Sequence, residues 1–154
     1  MPNRWTRVNG VLTPKIAAKA VSTSSIADNA TAKTRELSSL SVTVGTANAY
    51  GASTAIVPTG TGMSELSIQG LEYVAGGTFG SDTLSVEFTA TYDDATTGVL
   101  TLTKTSTGTV ELTQANIRSL TVNAKEIVSI GVKAKVTTTD SVTCVLNGLL
   151  IERP

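Results

Sequence analysis

Nine consecutive residues, Val128–Val136, alternate strictly between two kinds of side chain. Val128, Ile130, Val132, Ala134 and Val136 share one register, and Ser129, Gly131, Lys133 and Lys135 share the other. Successive side chains of a strand point to opposite faces of a sheet, so this period of two reads as a strand with one buried face. Leu84, Val86, Phe88, Ala90 and Tyr92 repeat the pattern against Ser85, Glu87, Thr89 and Thr91. These two stretches commit the chain to β structure.

The rest of the chain supplies further short strands. After the polar break Thr137–Asp140, alternation resumes with Val142, Cys144, Leu146 and Leu150. Two such runs joined by a few polar residues read as an antiparallel hairpin. Val145, Leu149 and Ile151 on the other register imply that the second run is covered on both faces. Upstream, Leu40, Val42 and Val44 mark a strand that stops at Gly45, and Tyr50–Val57 marks another that stops at Pro58. Leu66 and Ile68 begin a third, closed by Gly70, with Leu71–Val74 continuing after a bend. The glycine-rich stretch 76–82 is a loop, and Asp93–Gly98 is a hairpin turn leading to strands over Val99–Lys104 and Gly108–Leu112. Gln114–Leu120 fits a helical turn or a crossover. Short strands separated by regular turn signals point to an all-β, antiparallel β-sandwich, jelly-roll-like or immunoglobulin-like. The Cys…Trp…Cys spacing of immunoglobulin domains proper is absent.

A length of 154 residues suits one such domain with a real core. Thr and Ser make up about a quarter of the chain, and charged residues only 16%. The net charge is zero but unevenly placed. Residues 1–35 hold Arg4, Arg7, Lys15, Lys19, Lys33 and Arg35 against Asp28 alone. Residues 36–103 hold no Lys or Arg, and the acids Glu36, Glu65, Glu72, Asp82, Glu87, Asp93 and Asp94. Such asymmetry usually marks an interaction segment. Residues 1–36 therefore read as an extended N-terminal arm, and 37–154 as the sandwich domain.

Little in the chain carries chemistry. No histidine occurs, which removes Ser-His-Asp and Cys-His sites and the commonest zinc sets. Cys144, the one cysteine, lies on the inward register and reads as a buried free thiol. Asp93 and Asp94, beside Thr96 and Thr97, offer oxygens of the kind calcium takes, though not at EF-hand spacing, and Asp is also an ordinary turn residue. Glu72 and Glu87 are the conceivable carboxylate pair for glycoside hydrolysis, but Glu87 sits on a polar strand face that needs no such explanation. The glycines at 76, 77 and 80 lack the Lys-Ser/Thr of a phosphate loop. Phe88 and Tyr92 belong to the core register, whereas Tyr50, Tyr73 and Phe79 are candidates for exposed platforms in a glycan-binding module. No basic face with interleaved aromatics suggests nucleic acid, and no apolar window suggests a membrane span. Residues 1–30 contain no apolar run of signal-peptide length, so synthesis in a reducing cytosol is expected. No cofactor motif is present, and the chain reads as non-enzymatic.

The layout of a basic, Trp5-bearing arm at 1–36 before a Thr/Ser/Ala-rich sandwich resembles the small structural proteins of tailed-phage virions: decoration, head-fibre, neck or tail proteins. That resemblance implies a virion component, made in the host cytoplasm, that forms homo-oligomers (a trimer or higher) and meets other virion proteins. Arg4, Trp5, Arg7, Val8, Val11, Leu12, Lys15 and Lys19 would form the assembly interface. The Leu84–Tyr92 strand and the terminal hairpin also look like the single-domain sandwiches of bacterial endospore appendages, extracellular filaments whose arms dock into the next subunit. Those arms carry cross-linking cysteines, and this one has none. A carbohydrate-binding adhesin is the third expectation.

Overall fold

The computed structural model describes residues 33–57, 63, 65–122, 124–138 and 141–153. These form β1 (Lys33–Val42), β2 (Val44–Gly45), β3 (Thr54–Val57), β4 (Glu65–Gly77), β5 (Leu84–Tyr92), β6 (Thr97–Lys104), β7 (Gly108–Glu111), α1 (Gln114–Arg118), β8 (Ile127–Lys135) and β9 (Val142–Arg153). Two sheets pack face to face as an all-β sandwich. The first has the order β1-β9-β4-β7, every neighbour antiparallel. In the second, β8 is flanked by β5 and then β6, while its other edge takes β3 antiparallel and β2 parallel.

The expected hairpin of Val128–Val136 with Val142–Ile151 does not form. β8 belongs to the second sheet, and β9 lies in the first between β1 and β4. The reason is that both edges of β8 are already used, by β5 on one side and by β2 and β3 on the other. The chain after Val136 therefore crosses to the opposite layer. Buried Asp82 fixes the start of this crossing: its carboxylate accepts the Thr138 N–H at 2.6 Å and the Thr138 hydroxyl at 2.9 Å, and also the Thr137 hydroxyl.

Three local irregularities shift the residues read from alternation. Val128 was expected to face inward, but the pairing slips between Thr91↔Ser129 and Tyr92↔Ile127, so Ile127 is buried and Val128 only half-buried. Of Tyr50–Val57, only Thr54–Val57 is strand. The run Leu40–Val44 breaks at Thr43, where the chain passes from the first sheet to the second. β1 opens at Lys33, so residues 33–36, grouped by charge with the arm, pair with Glu152–Leu149 of β9. The bend at Gly70 is a bulge in β4, with φ +59°. Gly148 of β9 sits against it at φ +120°, and a Cβ there would lie 2.3 Å from the Gly70 carbonyl oxygen, a place only glycine fits.

Beyond β7, the outer edge of β4 is closed by other means. The Leu112 N–H donates to the Leu71 carbonyl at 2.8 Å. The Gln114 side-chain amide then stands in for a strand, donating to the Leu66 carbonyl and accepting from the Ile68 N–H. Gln114–Leu120, read as a helical turn or crossover, contains the helical turn α1, capped by Thr113 and Asn116. Its buried Ile117, with Leu120, plugs one part of the core.

The core lies between the inner faces: Leu71, Tyr73, Ala75, Cys144 and Leu146 from the first sheet, Val86, Phe88, Ala90, Ile130 and Val132 from the second. Ile130→Ala removes apolar burial and leaves a cavity, so it should cost about 2–5 kcal/mol. Ser129→Ala, one residue away on the half-buried outer face, should cost far less. Urea unfolding of both variants measures the difference.

Candidate functional site

Polar chemistry gathers on the outer faces of the two sheets and at the β5–β6 turn. On the second sheet, Glu87 of β5 and Lys133 of β8 are opposite each other and form an ion pair at 2.8 Å. The Thr89 hydroxyl donates to the same carboxylate at 3.3 Å. Tyr50 covers the cluster, with the Lys133 and Lys135 ammonium groups each 4.7 Å from its ring centroid. Burial acts to raise the Glu87 carboxyl, but the hydrogen bonds of Lys133 and Tyr50 outweigh it and hold its pKa below the usual range. Burial, then the nearby Glu87, raises the Tyr50 hydroxyl. Glu87 is paired with Lys133, and Lys135 rests on the Tyr50 ring and the Asn48 carbonyl, which suits a structural network better than a reacting group.

Beside it runs a groove of about 220 Å³ over Gly131, bordered by Ser53, Thr89, Thr91 and Ser129 and floored by Val57 and Ile130. Its polar groups are hydroxyls and backbone, with no acid or base among its lining residues. It can hold water or a small polar group; it has nothing to activate one.

The sequence candidates are scattered. Glu72 and Glu87 lie on the outer faces of different sheets, so the sandwich separates them. Tyr73 and Phe79, expected near the surface, are buried, because β4 and the following loop turn both rings into the core. Tyr50 is half-buried under its two lysines. Among the described residues no aromatic is left as an open platform. Phe88 and Tyr92 are core residues as expected, and the Tyr92 hydroxyl donates to the Leu120 carbonyl at 2.8 Å.

Asp93 and Asp94 sit at the exposed β5–β6 turn. Asp94 Oδ1 accepts the Thr96 N–H and hydroxyl, and Oδ2 pairs with Lys125 at 2.8 Å. Asp93 Oδ1 accepts the Glu126 N–H at 3.3 Å. A cation bound here would have to displace Lys125. Among the described residues, no three His, Cys, Asp or Glu come together in a way that could hold a metal ion.

The outer face of the first sheet is different. Glu72 of β4 is directly opposite Glu111 of β7, and Glu36 of β1 is opposite Leu149 of β9. Among the described residues none of the three carboxylates has an ion-pair partner. Between them run half-buried Val145, Leu149 and Ile151. Along the sequence these acids are far apart; the register gathers them on one surface. The arm residues Arg4, Trp5, Arg7, Val8, Val11, Leu12, Lys15 and Lys19 lie outside the described residues.

No family model, no curated protein and no solved structure matches the chain. No helix among the described residues is long and apolar enough to cross a membrane.

Burial pushes the Cys144 thiol up to about 12, so it stays protonated at neutral pH. Native protein should react slowly with a thiol reagent and urea-unfolded protein quickly, as a timed colorimetric assay would read. For Asp94, hydrogen bonds from Lys125 and then Thr96 hold the carboxyl down to about 2. The clamp is thus complete above the ordinary carboxylate range and is lost only as pH falls through about 2. Lys125→Ala should move the Asp94 titration upward, toward an ordinary carboxylate, in a carbon-detected NMR titration.

Proposed function

We propose that this chain is a non-enzymatic structural protein that assembles with itself through its N-terminal arm, as a component of a tailed-phage particle. One observation carries the reading: the outer face of the first sheet holds Glu36, Glu72 and Glu111 without ion-pair partners among the described residues, around half-buried Val145, Leu149 and Ile151. Like charges directly opposite in a sheet, as at Glu72↔Glu111, cost stability unless something else offsets them. The arm has the matching composition, with Arg4, Arg7, Lys15 and Lys19 interleaved with Trp5, Val8, Val11 and Leu12. At about 3.3 Å per extended residue, residues 1–32 reach roughly 100 Å, enough to cross onto a second copy. Charge complementarity guides encounter and register, while Trp5 and the aliphatic residues supply the burial. The phage setting rests on the resemblance of layout alone.

Because β1 begins at Lys33, the truncation that tests this removes residues 1–32. The shortened protein should fold and stay soluble but assemble to a clearly lower mass in light scattering, and Trp5→Ala should weaken assembly with little change in melting. Glu72→Gln combined with Glu111→Gln should weaken assembly while leaving the isolated sandwich as stable or slightly more so. Undiminished assembly of the truncated chain would overturn the proposal. Electron microscopy of the full-length product separates a ring or particle component from a filament.

A further inference from the structure

We infer that β6 is a second, arm-independent self-interface, pairing edge to edge with β6 of another copy to join two second sheets into one. The described edges of the sandwich are guarded in different ways, and this one is not. β1 carries Lys33, Arg35 and Glu36 and a bulge between Leu37 and Leu40, with Ser39 at φ +50°. β7 and β3 are four residues long and β2 is two. The edge of β4 beyond β7 is covered by Leu112 and Gln114. Charges, bulges and shortness are the usual devices that stop strand edges from pairing. β6 runs Thr97–Lys104 in unbroken register with β5, from Leu84↔Lys104 to Thr91↔Thr97, and among the described residues pairs with no other strand. It has no proline, no bulge and no charge before Lys104. Alternate residues therefore present N–H and C=O groups outward along about 26 Å of edge.

The side chains identify the occupant. On the inner register Leu100 and Leu102 pack against the core yet remain half-buried, and on the outer register Val99 is 53% exposed. An antiparallel two-fold pairing centred on Thr101 places Thr101 against Thr101, Leu100 against Leu102, and Val99 against Thr103. Each of these is a favourable cross-strand pair, and no two like charges meet. Lys104 falls opposite Gly98, and the nearest acid on β5, Glu87, is held by Lys133. A two-fold interface must be self-complementary, and this strand is. The arm of another copy would bring cations to an edge that offers them no carboxylate of its own, so a second β6 is the better fit.

Thr101→Cys in the full-length protein tests the pairing, since Cys144 is buried and does not compete. Two copies paired about Thr101 bring the new thiols within disulfide range. Mild oxidation should give a reducible dimer at yields well above those of Thr97→Cys, whose copies would lie about 27 Å apart in the same register. Val99→Lys with Thr101→Lys should lower the assembled mass in light scattering while the far-ultraviolet circular dichroism stays that of a folded sandwich. The cross-link should persist after removal of residues 1–32, which separates this interface from the arm. No cross-link above the Thr97→Cys control would overturn the inference. So would a cross-link that appears only after the arm is removed, because the arm would then be the native occupant of the edge.

Discussion

The contact between the two inner faces is the interaction on which the rest of the molecule depends. Tyr73 and Leu146 on one side and Phe88 and Val132 on the other are fully buried. Burying each such side chain contributes roughly 1.5–3 kcal/mol, and the alternation of β5, β8 and the central part of β9 delivers them in ranks. That layer also tolerates costs. The Tyr73 hydroxyl is buried without a hydrogen-bond partner among the described residues, and burial pushes it up to about 12. At one end Arg35 pairs with Glu152, only 2% exposed, and removing Arg35 would strand that buried carboxylate. The apolar layer determines the fold; these polar groups only live within it.

How much of this was legible in the sequence follows from how local each signal is. β5 was read to the residue because its alternation is unbroken and both its neighbours are antiparallel. The inward set of β8 was read except at its start, where a one-residue slip exchanges Val128 for Ile127. Nothing in the local pattern marks such a slip. The false hairpin has the same origin: a short polar break followed by a second alternating run describes a hairpin and a layer crossing equally well. The decision lay elsewhere, in β2 and β3, which fill the free edge of β8 from about eighty residues away. Asp82, read as one more loop acid, turned out to be the buried anchor of that crossing.

The surface was legible in composition and not in position. Counting charges separated cations from acids along the chain, but only the register brings Glu72 and Glu111 face to face and sends Glu87 to the other side of the sandwich. Aromatic residues misled for a related reason. Phe79 adjoins Gly80 and Tyr73 lies between Gly70 and Gly76, which suggests nearby loops, whereas Tyr73 sits in β4 and both rings enter the core. The β6 edge carries hydroxyl and aliphatic side chains and no charge before Lys104, so it is invisible until the strands are ordered.

The position of β9 also sets the order in which the molecule can be built. β1 pairs only with β9 among the described strands, and β4 has just four residues paired to β7 on its other side. Until residues 142–153 emerge from the ribosome, the first sheet has a gap at its centre and the inner face of β5 and β8 has half a lid. The outer face bearing Glu36, Glu72 and Glu111 is thus incomplete for most of synthesis. On the proposed reading, docking on that face would have to wait for β9, the last of the described strands to be made.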